Sequence, residues 1–146
     1  MVDKKISVNN ELYAALASAD EIKDGSEWFG SQFESLQASR MKYPAGKTFR
    51  IHHHILNPRT IKRTQESFIV ISGRLAVDVY ANPKPSGGGL FKEPLFLGTL
   101  EAGPGEAVFI YRGGHGIRVL EDCVAYEVKA GQFSYVSEDK EFLNDV

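Results

Sequence analysis

The chain has 146 residues, 42% of them apolar and 25% charged, with a formal net charge of −2. That length suits one compact domain with a real core, and a charge so close to neutral lacks the electrostatic footprint of a dedicated nucleic-acid binder. No apolar run approaches the roughly 18 to 20 residues of a membrane-spanning helix, and no apolar stretch follows Lys4 and Lys5 as it would in a signal peptide. The single Cys123 excludes an internal disulfide and makes a reducing, cytoplasmic setting the default. In its strand-like surroundings, "DCVAYEV", it reads as a buried structural cysteine.

Taken in chain order, the first predicted element is a short helix over "NNELYAALASADEIKDG". Asn9 or Asn10 would cap it, Leu12, Ala15, Leu16, Ala19 and Ile22 would share one face, and Gly25 would stand just past its end. The next stretch, "SEWFGSQFESLQASRMKYPAG", has a more β-like texture, and Trp28, Phe29 and Phe33 are expected to anchor the helix to the domain. From residue 47 onward the pattern is strand after strand: "KTFRIHHHIL", "ESFIVIS", "RLAVDVYA", "PLFLGTLE", "EAVFIYR", "GIRVLE" and "CVAYEVKA". The breaks between them, "NPRT", "SG", "NPKPSGGG", "EAGPGE", "RGGHG" and "EDC", carry turn chemistry. Short strands punctuated in this way predict an antiparallel sandwich or barrel. "NPKPSGGG" reads as a loop tip, and "GQFSYVSEDKEFLNDV" as a tail packed through Phe133, Tyr135 and Phe142.

Two stretches carry chemistry. In the first, His52 and His54 stand two apart in a strand-like run, so both point to one face and His53 to the other, among Phe49, Ile51 and Ile55. His53 is therefore expected to pack or to line an interface. Gly46, five residues, His52, one residue and His54 resemble the opening of the first cupin motif, G(X)5HXH(X)3-4E(X)6G, and Glu66, six residues and Gly73 resemble its ending. Eleven residues separate His54 from Glu66 where that motif has three or four. In the second stretch, "GEAVFIYRGGH" resembles the second cupin motif, G(X)5PXG(X)2H(X)3N, from Gly105 onward. There Tyr111 replaces the proline, Gly113 fits, His115 comes one residue early and Val119 stands near the asparagine position. The likeness covers residues 44 to 130 and extends to small single-domain cupins through "TQESFIVISGRLAVDVY" and "GGHGIRVLEDCVAYEVKAG".

The resemblance implies an all-β cupin-type antiparallel barrel or jelly roll, here with the short N-terminal helix in front. One domain is expected: residues 1–43 a helical or extended segment, 44–130 the barrel and 131–146 the tail. It also implies a metal held by His52, His54, Glu66 and His115. Imidazoles with one carboxylate suit Fe, Mn, Ni, Cu or Zn and leave positions open for substrate or water. The register of the predicted hairpin matters. A two-residue loop, Pro58-Arg59, puts Ile51 opposite Glu66 and leaves Glu66 on the face of His53. An odd loop such as Pro58 to Thr60, or a bulge, puts Glu66 with His52 and His54 instead.

Arg50, Arg59, Lys62 and Arg63 surround the expected mouth. Arg50 shares the face of His52 and is suited to hold an anion in two-point fashion, with Arg63 as a second basic contact. Tyr111 is a candidate hydrogen-bond donor to the ligand, whereas Glu127 and Lys129 share a face and are expected to pair. Three readings follow. One is a metal-binding cupin acting on or holding a small, anionic molecule, with dioxygenase or isomerase chemistry if it is an enzyme. The second is a metal-free module for a sugar or carboxylate. The third is a metal-free sugar epimerase or isomerase using a histidine base, which needs an acidic partner to orient it. The cupin resemblance also implies a possible homodimer, to which the N-terminal segment or an edge strand could supply the contact.

Overall fold

The fold is that of a computed structural model, which describes residues 4–20, 22–81, 94–132, 135, 140 and 142. Every regular element among them is a β-strand. In chain order these are β1 (Lys4–Val8), β2 (Glu11–Ser18), β3 (Gly25–Phe29), β4 (Ala38–Lys42), β5 (Glu66–Ala81), β6 (Leu95–Ala102), β7 (Glu106–Ile110) and β8 (Gly114–Lys129). Six form one antiparallel sheet in the order β1-β2-β7-β5-β6, with β8 on β5; β3 and β4 make a separate hairpin. No helix among the described residues is long and apolar enough to cross a membrane.

The predicted N-terminal helix is replaced by a β-hairpin. Asn9 and Asn10 both have positive φ (50° and 63°) and form the tight turn between β1 and β2. Asn tolerates that region well, and two such residues in succession match the turn that joins twisted antiparallel strands. The apolar run that follows is buried on both sides. Ala14 and Leu16 face one core cluster, and Ala15 and Ala17 the other. A strand buried on both faces loses its alternation and cannot be told from a helix by periodicity.

The strand pairs β5 and β8 organise the molecule. Both are continuous over 16 residues, so the predicted breaks "SG" and "EDC" are kinks within strands and not loops. At Gly73 φ is +74°, and a Cβ there would lie 1.9 Å from the carbonyl oxygen of Asp122. The ladder shifts register around this point, and the inward set on β5 changes from Phe68 and Val70 to Leu75, Val77 and Val79. A bulged, glycine-kinked ribbon bends sharply. The sheet therefore curls into a half-barrel, with Ala14, Leu16, Leu100, Ala102, Val108 and Ile110 filling its concave side. Cys123 is half-buried against this cluster.

The convex side of β2 and β7 is covered by the β3–β4 hairpin. Small residues there (Ala15, Ala17 and Ala107) leave room for Leu36 and for Phe29, whose ring stacks on Phe109 at 5.0 Å. Arg40 fastens the hairpin, donating to Glu27 Oε2 (2.7 and 2.9 Å) and to the carbonyl of Ser18 (2.6 Å). Trp28 and Phe33, expected as anchors, are exposed, as are Tyr135 and Phe142. Phe133 and the "NPKPSGGG" loop lie outside the described residues.

The largest departure from expectation is the segment "KTFRIHHHIL". Residues 47–65 contain no strand, and no backbone hydrogen bond joins residues 48–63 to another described residue. The physical reason is that β5 has no free edge where the predicted hairpin would pair. At Glu66 one edge is taken by Ile110 of β7 and the other by Lys129 of β8. A strand has two edges, so neither Ile51 nor His52 can lie across the ladder from Glu66, whatever the length of the "NPRT" loop.

Candidate functional site

Glu66 opens β5 and shares the concave face with Phe68 and Val70. His115 lies near the start of β8, opposite Val79, which also faces inward. Twelve residues of β5 separate Glu66 from Val79, yet the folded-over ribbon and the β7–β8 turn bring the side chains of Glu66 and His115 together. His115 Nε2 lies 2.9 Å from Glu66 Oε2. The turn depends on Gly113, whose φ is +84° and where a Cβ would meet the carbonyl of Tyr80 at 2.3 Å.

A third group completes the cluster. Lys129 Nζ lies 3.2 Å from the other oxygen, Glu66 Oε1, and 3.4 Å from Glu127 Oε1. The Glu66 side chain is only 6% exposed, whereas those of His115 and Lys129 are about a quarter exposed, at 26% and 25%. The hydrogen bond from His115 is the main reason that the Glu66 carboxyl is held down to about 2 from 4.5, against the opposing effect of burial and with further help from Lys129. The site is thus an ionised, nearly enclosed carboxylate with a solvent-facing imidazole on one oxygen and an ammonium on the other.

The other predicted site residues lie elsewhere. His52, His53 and His54 are all exposed on the 47–65 segment. His52 and His54 do lie on one side of it, with ring centroids 5.4 Å apart, and His52 Nδ1 is 3.0 Å from the carbonyl of Arg50. Arg50 and Arg63 are exposed on the same segment and make no ion pair with another described residue. Tyr111 follows the inward-facing Ile110 and so faces the convex side. It is fully buried beneath Gly30, with no hydrogen-bond partner for its hydroxyl among the described residues. Burial, with the nearby charge of Glu34, pushes its phenol up to about 12.

Lys129 was not foreseen as a partner of Glu66. The signal for it lies in pairing "ESFIVIS" antiparallel with "CVAYEVKA", which sets Lys129 directly opposite Glu66. Gln65 is a second unforeseen residue. Fully buried beside Glu66, it accepts from Leu36 N (2.7 Å) and donates to Glu34 and to the carbonyl of Tyr111 (3.1 Å). Glu34 also receives Arg112 at 2.6 Å, so this network ties the start of β5 to the 31–37 turn. An open cleft of about 390 Å³ lies between the β3–β4 hairpin and the convex side of β7, lined by Phe29, Arg40, Ile69 and Phe109. Its lining includes neither Glu66 nor His115.

Two donor types suited to a metal, one carboxylate and one imidazole, are therefore in contact. Among the described residues no group of three or more His, Cys, Asp and Glu side chains is assembled to hold an ion. Comparison of the chain with protein families, with curated proteins and with solved structures returns no match.

Proposed function

We propose that the chain is a small cupin-like protein that binds a divalent transition metal at the mouth of its half-barrel and holds a small, anionic molecule beside it. The observation that carries this reading is the contact between Glu66 and His115, residues 49 positions apart in sequence and meeting at 2.9 Å on the concave face. That separation suits two neighbouring ligands each about 2.1 Å from one ion, and imidazole with carboxylate suits Fe, Mn, Ni, Cu or Zn. Glu66 is ionised at neutral pH, as a ligand must be. Lys129 on the far oxygen would remain as an outer partner that orients the carboxylate.

Two ligands do not make a site, and His52 and His54 are the natural complement. They share one side of a segment that leads directly into Glu66. Arg50 and Arg63 on the same segment would bring positive charge for an anion. A metal bound there supplies Lewis-acid activation, the chemistry shared by dioxygenase and isomerase types. The jelly-roll topology and the cupin kinship belong to this proposal. They draw support from the motif-like glycines Gly46, Gly73, Gly105 and Gly113, all of which have positive φ.

A second reading has an observation of its own. His115 donating to a buried carboxylate, with Lys129 balancing the charge, is how an imidazole is oriented for proton transfer without any metal. This is the acidic partner that a metal-free epimerase or isomerase requires. Metal analysis separates the two. The untagged chain, stripped and offered Fe, Mn, Ni, Cu or Zn, is expected to retain one ion per chain, and Glu66→Gln, His115→Ala and His52→Ala/His54→Ala to lose it. No retention by the wild type sinks the metal reading and leaves the acid–base one. Equal retention by all the variants shows that the ligands lie elsewhere.

A further inference from the structure

The concave side of the half-barrel is open along β8. Among the described residues this 16-residue strand pairs only with β5, so its other edge presents a row of unmatched backbone groups. Apolar side chains stand exposed along it: Ile117, Val119, Val124, Tyr126 and Val128. Long, apolar, unpaired edges template the addition of another strand, and soluble proteins seldom leave them bare.

The same chain carries a segment with the opposite deficit. Residues 47–56 are strand-like in sequence but have no strand partner among the described residues, and Ile51 and Leu56 are essentially fully exposed at 104% and 99%. Ten extended residues span about 33 Å, enough to run beside the eight residues of β8 before its kink, which span about 26 Å. Charge agrees with the fit. Residues 46–63 contain Lys47, Arg50, Arg59, Lys62 and Arg63 and no carboxylate. On β8, Arg118 is committed to Asp78 and Lys129 to Glu66 and Glu127, while Glu121 shares the single Arg74 with Glu101, so with Asp122 the stretch around the kink carries an excess of acids.

We propose that the arm of residues 47–56 adds as a strand to the free edge of β8 in a second copy of the chain, which returns its own arm, so that the protein is a strand-exchanged dimer. The arm's own β8 is not its occupant here, since the arm stands solvent-exposed between β4 and β5 with both of its ends fixed in the fold. Two copies offer two identical arms and two identical edges, which is what a two-fold interface requires. Strand addition satisfies the backbone of arm and edge at once, and it sets the arm's side chains alternately against Ile117 and Val119 and away from them. The inference rests on the unpaired edge and stands whether or not metal binds.

Light scattering on the full chain is expected to give about 32 kDa, twice the 16.2 kDa of one copy. Two double variants at exposed positions test the contact: Ile51→Lys/Ile55→Lys in the arm, and Val119→Lys/Val124→Lys on the edge. Each alone is expected to be monomeric with an unchanged far-UV circular dichroism spectrum. An equimolar mixture is expected to recover dimer, because the intact arm of one still fits the intact edge of the other. Amide exchange on the wild type gives a readout free of substitutions: protection over residues 47–56 that disappears on dilution to monomer. A monomeric wild type overturns the proposal, as does a dimer that survives either variant or a mixture that stays monomeric. Arm protection at monomer mass also overturns it, by showing the arm closed on its own β8.

Discussion

Residues 47–56 and 66–72 are close equivalents as sequence, both rich in β-branched and aromatic residues and both bounded by turn signals. In the fold they are opposites. The start of β5 is paired on both edges and mostly buried, whereas the arm is exposed and has no strand partner among the described residues. The difference shows that strand propensity describes fitness for a pleated surface and not the presence of one. Pairing is allotted by the sheet as a whole. Once β7 and β8 have taken the two edges of β5, the arm's local preference has nothing in this chain's β5 to act on.

Unmaking the ribbon that pairs with β5 should do the most damage. Gly73→Ala places a Cβ on the Asp122 carbonyl at a left-handed backbone position, where neither can yield. A loss of about 3 kcal/mol or more is expected, read as a lowered urea midpoint. The same change should separate His115 from Glu66. Next in size is Glu66→Gln, which leaves Lys129 and His115 facing a neutral, buried amide. A cost of about 2 to 3 kcal/mol is expected, by the same measurement. His52→Ala/His54→Ala should do far less, since exposed arm residues are expected to change the stability of the isolated fold by no more than about 0.5 kcal/mol.

Acidity probes the same carboxylate more gently. Its value falls from 4.5 in the unfolded chain to about 2 in the fold. The stability it contributes is therefore complete above 4.5 and drains away as the pH drops from there to about 2. Denaturant midpoints followed over that window should decline in the wild type and decline less in Glu66→Gln. The smallest effect is reserved for Tyr111→Phe. The buried hydroxyl has no partner among the described residues, so its removal should leave stability unchanged or raise it by up to about 1 kcal/mol. A loss of more than that would mean the hydroxyl is bonded in solution.

Much of the β-architecture was legible. The strands from Glu66 onward follow from alternation and turn residues, because each exposes one face or ends at a recognisable break. What pattern could not supply was continuity: "SG" and "EDC" look like loops, and only the mutual approach of Gly73 and Asp122 shows them to be facing kinks in one ribbon. β2 looks like a helix in sequence because a strand buried on both faces has no alternation to show. The pairing of Glu66 with His115 came from family resemblance and not from spacing, since their proximity depends on a strand folding over itself. Tyr111 shows the limit of a motif position. Its place in the sequence suggested a ligand contact, but the parity of β7 turns it to the far side of the sheet.

The ladder between β2 and β7 has a consequence for how the molecule comes into being. Ala14 pairs with Ile110, 96 residues further along the chain. The N-terminal hairpin cannot take its place until nearly three-quarters of the polypeptide exists, and β5 likewise waits for β8. Contacts this distant in sequence carry a heavy loop-closure cost before any pairing rewards it. Folding is thus expected to be slow, on the scale of milliseconds to seconds. During that interval the early strands stay in search of edges.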